Sequence, residues 1–567
     1  MDVKTTSEDG FCDGQPVVQA GIQAFGILFV LSLDREILQV SVNVETTLGM
    51  PCAQLIGTDF AALVSSPDRQ VLEQAFTDGD VRYLDGWEIE LASASGPRRF
   101  AVSVSVGAGD LVLELEFTDG AWDPLRAIVM RNRLSTLSLD MKRFRTLSEM
   151  CDATTVELKS ILAVDKVMVY RFDDSWHGTV VSEAKEAEME TYLDLRFPAT
   201  DIPAPARRLY AHNPIRMIPD AGHTPVRLEP ARNPRTGKPT DLSACMSRGV
   251  APVHLEYLQN MGVTASISIS IVHHDVLWGL IALHHRAPKT LHASVRNSLR
   301  LLSECFAARL TTLDAAESRE ALARLVDFRR AVTDAVRRDD TPVSMLLQEL
   351  ETTTRLLEAQ GIAVLLEGQW FVRGEAPAHE ELLRLVAWIR TQGEGQVYVT
   401  HALSREYDGG DAIRRTASGL VAASITGRFE DLVLWFRPEV EQLVKWGGDP
   451  SQTVVFEADR QTYHPRQSFQ IWQEAVSLQS LPWTAQERTV AAEIRRAVAE
   501  AMLDLRSAKL KTLSGIVPIC SYCKKIRDDN NSWRVMEDYI QTRSKAKFSH
   551  GLCPECYASV LEADGLG

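Results

Sequence analysis

The chain has 567 residues, 45% of them hydrophobic, and a formal net charge of −15, which argues against a polyanionic partner engaged by the whole surface. This length predicts about three to five domains, each with its own core. No apolar run approaches the roughly 20 residues of a membrane span and the N-terminus lacks an apolar signal core, so we expect a soluble, cytoplasmic protein without a membrane partner. Nine cysteines in so long a chain do not form a disulfide framework.

The first segment, to about residue 125, is predicted to be a β-sheet with short helices. Apolar or alternating runs of strand length begin at Gly26 and at Phe100. The turn Gly107-Ala-Gly-Asp110 joins the second of these runs to another one, which indicates a hairpin.

A second segment, about residues 126–312, is predicted to begin with a helical stretch at 134–162. A strand at 166–172 follows. Near the end of the segment, residues 266–272 and 277–285 flank a His-His-Asp-Val turn, which predicts a second hairpin.

A long helix is predicted at each of the next two segment boundaries, near residues 312 and 483. From about Ser294 to Arg338 apolar residues recur at spacings of three and four, which is typical of a helix that bridges two domains. A third α/β segment runs to about residue 483. Thr484 and Glu487 then form a capping box that opens another helix. The apolar stripe of that helix comprises Val490, Ile494, Val498, Ala501, Leu505 and Ala508. Such a stripe fits a coiled-coil seam, and hence a homodimer, or equally a helix packed on its own domain.

Polar side chains cluster between Arg196 and His285 in a pattern that core packing does not require. Asp201 precedes Pro203, so its first interpretation is a helix N-cap with proline in the first turn. Helical spacing places His254, Tyr257 and Met261 on one face, in a helix that ends at a C-terminal glycine, Gly262. A lone histidine there would usually be a satisfied core residue.

The strand that follows adds hydroxyl groups to this cluster. Ser266, Ser268 and Ser270 alternate with isoleucines, so the hydroxyls share one face, which must meet a polar cavity or water. His284 and His285 point to opposite faces of their strand. Guanidiniums, hydroxyls, imidazoles and one carboxylate together suit a large, flat, anionic ligand with a polar rim. A tetrapyrrole with two propionates is such a ligand.

Six motifs follow one another between residues 198 and 469. They are Pro198-Ala-Thr-Asp-Ile-Pro-Ala-Pro-Ala-Arg-Arg-Leu-Tyr, Pro252-Val-His-Leu-Glu-Tyr-Leu-Gln-Asn-Met-Gly-Val, Leu277-Trp-Gly-Leu-Ile-Ala-Leu-His-His, Leu434-Trp-Phe-Arg-Pro-Glu, Trp446-Gly-Gly-Asp-Pro and Pro465-Arg-Gln-Ser-Phe. Over about residues 8–510 the sequence resembles the bacteriophytochromes. The resemblance implies a PAS–GAF–PHY photosensory module with a linear tetrapyrrole in the GAF domain.

The resemblance also implies a division of the chain. In order, the expected parts are a PAS domain with the chromophore-attachment segment (1–125), a GAF chromophore-binding domain (126–312), a PHY domain (313–483) with a tongue at about 444–472, a signalling helix or coiled coil (484–515) and a cysteine-rich output module (516–567). The expected fold is therefore α+β and multidomain. Its PAS, GAF and GAF-like PHY domains are antiparallel sheets joined by long helices.

Cys12 acquires a role from the same resemblance. In bacteriophytochromes a cysteine at the matching place forms a thioether with the A-ring vinyl group of biliverdin IXα. In plant-type relatives the attachment cysteine directly precedes the pocket histidine, where this chain has Val253, and Cys245 falls in a different stretch. Biliverdin is therefore expected, in preference to phycocyanobilin.

The remaining pocket residues are likewise implied by the resemblance. The Asp201 carbonyl and the His254 ring would face the pyrrole nitrogens, an arrangement that suits a cationic chromophore. Arg216 and Arg248 would be the propionate clamps. Ser266 and Ser268 would be partners of the other propionate, and His284 would hydrogen-bond the D-ring carbonyl. Tyr170, Phe197 and Tyr257 would line the D-ring, which rotates after photon absorption. Ile202, Pro203 and Tyr210 of the first motif complete the predicted site.

A conformational switch is also implied. Arg466 would pair with Asp201 in the red-absorbing state, and Ser468 would replace it in the far-red-absorbing state as the tongue changes from hairpin to helix. Without the motif, Arg466 would be interpreted as an ordinary arginine on an exposed loop.

The C-terminal region contains two Cys-x-x-Cys pairs, Cys520/Cys523 and Cys553/Cys556, with His550 nearby. Two such pairs about 30 residues apart predict a structural zinc site, with His550 as a spare ligand or neighbour. Redox-active dithiols are the alternative, and paired disulfides are disfavoured in a reducing cytoplasm. The basic residues Lys524, Lys525 and Arg527 stand beside two aspartates, so nucleic acid is not the expected partner.

These features lead to three hypotheses. The first is a non-enzymatic red/far-red photoreceptor that signals through its helices, without a histidine-kinase core, to a C-terminal module and an unidentified downstream protein. The second is a light-independent GAF sensor for haem, a cyclic nucleotide or another small ligand. The third is an enzyme whose active site is the cysteine-rich tail.

Overall fold

The computed structural model describes residues 21–77, 86–107, 109–118, 124–337, 342–392, 395–450, 454–456, 463–514, 518–528, 531–544 and 546–563. The chain forms two compact units. The first comprises residues 1–322 with 439–479, and the second comprises 323–438 with 480–567. Within the described residues, no helix combines the length and apolar character needed to cross a membrane.

The first unit begins with an antiparallel sheet and short helices. The elements are β1 (Gly26–Leu31), β2 (Ile37–Ser41), α1 (Val44–Leu48), α2 (Cys52–Leu55), α3 (Ser66–Thr77), β3 (Glu88–Leu91), β4 (Arg98–Gly107) and β5 (Asp110–Phe117). The strand order is β2-β1-β5-β4-β3. Gly107 lies opposite Asp110, so the predicted hairpin is confirmed. Phe29, Phe60 and Phe100 are fully buried in the core of this sheet.

The next part of this unit surrounds a second sheet. Its elements are α4 (Pro124–Asp140), α5 (Leu147–Leu162), β6 (Lys166–Phe172), β7 (Gly178–Lys185), β8 (Arg196–Phe197), α6 (Ala204–His212), β9 (Ile215–Ile218), β10 (Leu228–Glu229), α7 (Pro252–Asn260), β11 (Ala265–His273), β12 (Val276–His285) and α8 (Ala293–Arg337). The second sheet contains β8-β7-β6-β12-β11-β9, whereas β10 joins the first sheet beside β2.

The helical stretch predicted at 134–162 consists of two helices, because α4 ends at Asp140 and α5 begins at Leu147. Thr146 caps the new helix, since its Oγ1 accepts the Glu149 N–H at 3.2 Å. The Glu149 carboxylate in turn accepts the Arg145 N–H at 2.9 Å. This reciprocal capping satisfies backbone donors at a new helix start.

Strand alternation gives the second sheet two different faces. Ile267, Ile269 and Ile271 of β11 are buried in an apolar layer together with Leu299 and Phe306 of α8. The serines between these isoleucines point to the opposite face, as predicted. The polar face of the sheet is therefore the one available for a site.

The second unit contains a five-stranded antiparallel sheet. Its elements are α9 (Pro342–Leu356), β13 (Gly361–Leu366), β14 (Gln369–Gly374), α10 (His379–Ile389), β15 (Val397–Thr400), α11 (Leu403–Glu406), α12 (Gly410–Ala417), β16 (Gly419–Ser424) and β17 (Leu432–Arg437). The strand order is β14-β13-β17-β16-β15. The buried Trp435 indole donates to Thr353 Oγ1 at 2.8 Å, which ties β17 to α9.

The predicted tongue forms a strand pair in the first unit. Its elements are β18 (Gln442–Gly447), β19 (Val454–Phe456), β20 (Tyr463–Pro465) and β21 (Ile471–Val476). β18 pairs antiparallel with β21, and Trp446 pairs in parallel with Arg196 of β8. Consequently the second sheet has eight strands, two of them from the tongue.

The last elements are α13 (Ala485–Ser514), β22 (Ile526–Arg527), β23 (Trp533–Arg534), α14 (Met536–Arg543) and α15 (Pro554–Ala563). The capping box is confirmed, since Glu487 accepts the Thr484 N–H at 2.8 Å and Thr484 Oγ1 accepts the Glu487 N–H at 3.1 Å. Val490, Ile494 and Val498 are buried where α13 meets α9, β15 and β16. Of the two interpretations of this stripe, packing on its own unit is the one observed.

The architecture thus confirms an α+β multidomain protein of antiparallel sheets and long helices.

Candidate functional site

The polar face of the second sheet carries the first group of site residues. In register, Ser266 lies opposite His284 on β12, and Ser268 lies opposite Arg216 on β9. Residues so paired have Cβ atoms about 4.5–5.5 Å apart, so these four side chains form one cluster. All four are less than a tenth exposed. Among the described residues, His284 Nδ1 and the Ser270 hydroxyl are buried without a hydrogen-bond partner, which is the pattern expected at a ligand cavity.

Two buried guanidiniums stand at one end of this cluster. Arg216 donates to the carbonyls of Met246 (3.2 Å), Arg248 (3.0 Å) and Gly249 (2.8 Å). Arg248 donates to the Cys245 carbonyl at 3.0 Å. Within the described part of the chain, neither guanidinium forms an ion pair with a carboxylate. Burial lowers the pKa of Arg216 to about 9, and repulsion from Arg248 adds to this effect. Paired buried cations of this kind fit an anionic ligand.

The two predicted pocket histidines are held neutral. Burial, reinforced by Arg216, lowers the pKa of His254 to about 4. Burial, with smaller effects of Lys166 and His254, lowers the pKa of His284 to about 3. His254 keeps a partly accessible surface and stacks on Tyr257, with ring centroids 6.1 Å apart and planes 14° apart. Both rings can therefore hydrogen-bond a polar ligand at neutral pH without adding positive charge.

These histidines predict an acid-sensitive fold for the chromophore-free chain. An unfolded histidine binds its proton near pH 6.5, whereas the folded pKa values are about 4 and 3, so the unfolded state binds more protons between these limits. The contribution of the two neutral histidines to the free energy of unfolding is complete above pH 6.5 and is lost as the pH falls toward 4. At pH 5 each histidine is expected to remove about 2 kcal/mol from the free energy of unfolding. Urea unfolding at pH 7 and pH 5 measures this loss.

The matched comparison is a double variant, His254→Gln with His284→Gln, against His212→Gln, whose side chain is exposed at the end of α6. Between pH 7 and pH 5, the free energy of unfolding of the double variant should fall by about 4 kcal/mol less than that of the parent chain. His212→Gln should behave as the parent does. An unchanged pH dependence in the double variant would contradict the prediction.

Asp201 does not cap a helix, so its first interpretation is wrong. Asp201 ends a short 3-10 helix, and α6 begins only at Ala204, after Pro203. The Asp201 carboxylate instead accepts the Tyr257 hydroxyl at 3.0 Å and pairs with the Arg466 guanidinium. The two charged side chains are 6% and 4% exposed, so this ion pair is buried. Burial raises the pKa of Asp201, while Arg466 and Tyr257 act in the opposite direction.

The tongue presents Arg466 through several further contacts. Its guanidinium donates to the Gly447 carbonyl and lies 5.9 Å from the Phe197 ring and 5.6 Å from the Phe469 ring. Its own carbonyl accepts Asn260 Nδ2 from the C-terminal end of α7 at 3.1 Å. We call this set of contacts around Asp201 and Arg466 the latch.

Glycines allow the tongue strands to approach one another at the latch. Gly448 has a φ of +92°, and a Cβ there would lie 2.5 Å from the Ser468 carbonyl. Ser468 itself is exposed and its hydroxyl accepts the Gln470 N–H at 3.3 Å. The structure therefore brings Arg466 to Asp201 but does not bring Ser468 there. The Ser468 contact stays a prediction for another state.

Aromatic rings form a wall between the latch and the sheet. Tyr170 lies 6.0 Å from Phe197, and Tyr257 lies 5.0 Å from Phe469, measured between ring centroids. Burial raises the pKa of Tyr170 and of Tyr257, so both phenols are neutral. Gly178 is required beside this wall, because a Cβ there would come within 1.7 Å of the Tyr170 ring.

Three further predicted residues lie around this wall. Ile202 and Tyr210 are partly buried against the cluster of Phe172 and Leu280. Tyr210 is also an electrostatic neighbour of both Arg216 and Arg248. Pro203 is exposed at the start of α6.

Sequence reasoning missed a buried ion pair beside His284. Lys166 lies opposite His284 in the sheet and is 1% exposed. Its Nζ is 3.5 Å from a Glu183 carboxylate oxygen and 3.7 Å from the centre of the Tyr192 ring. Strand alternation could have revealed this lysine, because Lys166 and Tyr170 are four residues apart on β6 and therefore point to the same face of the sheet. A second missed contact joins His464 of β20 to Glu256 of α7 at 2.9 Å.

Cys12 lies outside the described residues, but the chain that leads to it is anchored beside the arginines. Gln23 Nε2 donates to the carbonyls of Met217 (3.1 Å) and Arg248 (3.2 Å). Cys12 precedes Gln23 by eleven positions in the sequence.

The four predicted metal-binding cysteines form two separate pairs. The Cys523 N–H points to Cys520 Sγ and the Cys556 N–H points to Cys553 Sγ, each at 3.5 Å. These N–H groups lower the pKa of Cys520 and of Cys553. Within the described ranges, no three His, Cys, Asp or Glu side chains are arranged to hold a metal ion, so the structure does not bring the four thiols or His550 together.

Comparison with known proteins identifies the domains. A family model described as the phytochrome region matches residues 326–507. A GAF domain model matches residues 146–312, and a PAS fold model matches residues 12–118.

Similar proteins extend across most of the chain. Cyanobacterial phytochrome B of Nostoc sp. is 34% identical over 491 residues, which cover 86% of this chain and 65% of that protein. The chain thus spans slightly less than two thirds of that relative. The bacteriophytochrome of Xanthomonas campestris pv. campestris is 30% identical over 488 residues, which cover 83% of this chain and 75% of that protein.

Solved structures agree with this relationship. The photosensory core module of the Stigmatella aurantiaca phytochrome superposes with a TM-score of 0.76 at 32% identity, covering 86% of this chain and 97% of that one. The chain therefore belongs to the bacteriophytochrome family of phytochromes.

Proposed function

We propose that this protein is a red/far-red photoreceptor that binds biliverdin IXα covalently through Cys12 and photoconverts between two states. The observation that carries the proposal is the polar face of the second sheet. Arg216, Ser266, Ser268 and His284 share this buried face, and neither Arg216 nor Arg248 forms an ion pair with a carboxylate among the described residues. Burial keeps the His254 and His284 rings neutral by lowering the pKa of each. Light absorption and double-bond isomerisation would be the chemistry that biliverdin supplies.

The side chains fit the polar groups of such a ligand. Arg216 and Arg248 offer positive charge to propionates, and Ser266 and Ser268 offer hydroxyl donors on the same face. His284 has a buried ring nitrogen that meets no hydrogen-bond partner among the described residues, which suits a hydrogen bond to the D-ring carbonyl. His254 and the Asp201 main chain are the acceptors proposed for the pyrrole N–H groups, and they favour the protonated form.

The latch is the proposed coupling element. In the hairpin form seen here, Arg466 neutralises Asp201 inside the first unit. Motion of the D-ring against Tyr170, Phe197 and Tyr257 would disturb Phe197, whose ring also contacts Arg466. Ser468 would then replace Arg466 as the tongue becomes helical. A bistable element biased by a ligand is a sufficient device for such signalling.

Signalling is proposed to run through the long helices of a homodimer to an unidentified cytoplasmic partner, without catalysis by this chain. Support comes from α8, where Leu301, Leu322 and Val326 are large apolar side chains that are 50–59% exposed. Exposed apolar side chains that lie together, as Leu322 and Val326 do one helical turn apart, commonly mark contacts between proteins.

The test of photoreception is spectroscopic. The protein, when produced together with a haem oxygenase, should be green. Under red light its red absorption band should decrease while a far-red band grows. Far-red light should reverse the change. Haem or a cyclic nucleotide bound instead, or biliverdin bound with identical spectra before and after illumination, would favour the light-independent sensor and contradict the proposal.

A further inference from the structure

The C-terminal region, residues 518–563, has almost no hydrophobic core of its own. Among its described residues, Ile526 is the buried apolar side chain, at 3% exposure. The large apolar side chains that are 38–96% exposed are Ile519, Tyr522, Trp533, Val535, Met536, Phe548, Leu552, Tyr557 and Val560. A segment of fewer than about 50 residues with this exposure needs a metal, a disulfide or a partner to hold one fold. The four described cysteines of this region are free thiols.

The first Cys-x-x-Cys pair lies in a tight turn that has the shape of half a metal site. The Cys520 N–H donates to the Lys525 carbonyl at 2.8 Å, and the Lys524 N–H donates back to the Cys520 carbonyl at 3.0 Å. Lys524 has a φ of +61°, so the chain reverses directly after the second cysteine. The Cys523 N–H points at Cys520 Sγ. Such N–H groups stabilise a thiolate, which is the form that binds metal.

The second pair lies at the start of a helix. Cys553 directly precedes α15, Cys556 lies in its first turn, and the Cys556 N–H points at Cys553 Sγ. The positive end of a helix dipole favours thiolates at this position. The hairpin of β22 and β23 and the helix α14 connect the two pairs, so each pair is preformed by a different local element.

We propose that one Zn²⁺ ion, bound by the thiolates of Cys520, Cys523, Cys553 and Cys556, joins the turn to the start of α15 and completes the fold of residues 518–563. The two pairs are not within a common coordination sphere in the described structure, so binding moves them together. Four thiols lose their protons to solvent and four Zn–S bonds form, with no change in oxidation state. The apolar side chains of the hairpin and of α15 gain burial in the same step.

The charge of the surroundings supports a tetrathiolate site. Zn²⁺ with four thiolates carries a net charge of −2. Lys524 and Lys525 follow Cys523 directly, and Arg527 lies on β22, so three cations adjoin the first pair. They would offset this charge, which gives these basic residues a role other than nucleic acid contact. His550 is exposed and is not one of the four ligands.

The experiment uses the full chain without chromophore, so that its outcome is independent of the proposed photoreception. Metal analysis of protein purified without chelator should find one zinc per chain. After removal of zinc, Co²⁺ should bind with the sulfur-to-cobalt charge-transfer bands and d–d bands of a tetrahedral thiolate site. Hydrogen exchange of residues 518–563 should slow at least tenfold when zinc is restored.

Variants separate the proposed site from other thiols. Cys520→Ser and Cys553→Ser should each lose zinc to below about a fifth of the parent content, because either change removes a ligand from a closed four-ligand site. Cys305→Ser, in α8, and His550→Ala should retain one zinc. With biliverdin supplied, Cys520→Ser should photoconvert as the parent does. Absence of metal and of cobalt uptake, zinc retained by both cysteine variants, or disulfides within each pair would overturn the proposal.

Discussion

Arg466→Ala is expected to weaken packing of the tongue against the rest of the first unit by roughly 100-fold or more. The substitution leaves the Asp201 carboxylate buried with Tyr257 as its other described side-chain partner. Removing one member of a buried ion pair typically costs about 3–5 kcal/mol, which corresponds to a factor of roughly 100 to 5,000 in an equilibrium constant. Hydrogen exchange of β18 and β21 in the chromophore-free chain should accelerate by a comparable factor, up to the limit set by global unfolding.

The effect should depend on pH. Burial already raises the pKa of Asp201 and Arg466 opposes that rise, so loss of Arg466 moves the pKa further upward. The carboxyl group of the variant can then take up a proton, which relieves part of the cost. Exchange rates of parent and variant should therefore converge as the pH is lowered toward 5.

The matched control is Arg133→Ala. Arg133 pairs with Glu157 at 3.0 Å in the same unit, but these side chains are 43% and 47% exposed. An exposed pair contributes at most about 1 kcal/mol, so tongue exchange should be unaffected. Arg466→Lys keeps the charge but loses the planar fork that reaches both Asp201 and Gly447, so it should fall between parent and alanine. Equal exchange in parent and Arg466→Ala would show that the latch does not hold the tongue.

Cys12→Ser is expected to abolish covalent attachment of biliverdin completely. A serine hydroxyl is not a substitute for the thiolate nucleophile that forms the thioether. The buried Arg216 and Arg248 and the partly accessible His254 are unchanged by the substitution, so non-covalent binding should persist. Denatured protein on a gel, stained for bilin, should show the pigment on the parent chain and none on the variant, while the native variant should remain coloured.

Two other cysteines bear on which thiol is responsible. Cys245 is fully buried and burial raises its pKa, so it is a poor nucleophile. Cys305→Ser, a substitution in α8, should leave attachment intact and serves as the control. Pigment that stays covalently bound in Cys12→Ser would place the attachment at another cysteine and would remove the main reason for preferring biliverdin.

Sequence reasoning succeeded where a feature depends on neighbours within a few residues. The alternation Ser266-Ile-Ser-Ile-Ser270 predicted one apolar and one polar face of β11, because successive side chains of a strand point in opposite directions. The Thr484 and Glu487 capping box was recognised for the same reason, since its hydrogen bonds close within one helical turn. The same kind of signal was overlooked at Thr146 and Glu149, where apolar periodicity on both sides masked the helix break.

The order of the motifs determined the family, and with it the residues expected around a ligand. It could not determine what Asp201 does, because the local pattern Asp-Ile-Pro fits an N-cap equally well. Its actual partner, Arg466, is 265 residues away in the sequence. That contact exists only because β18 and β21 extend the sheet of the first unit.

The sequence by itself therefore determined the family, the strand faces and the identity of the polar residues that surround the candidate site. Tertiary structure alone decided that Arg466 reaches Asp201, that Lys166 is buried opposite His284, and that the stripe from Val490 packs on its own unit. The physical reason is range. The hydrogen bonds of a helix cap and the faces of a strand depend on residues that are close in the sequence. The partner of a buried charge depends on where distant segments of the chain come to lie.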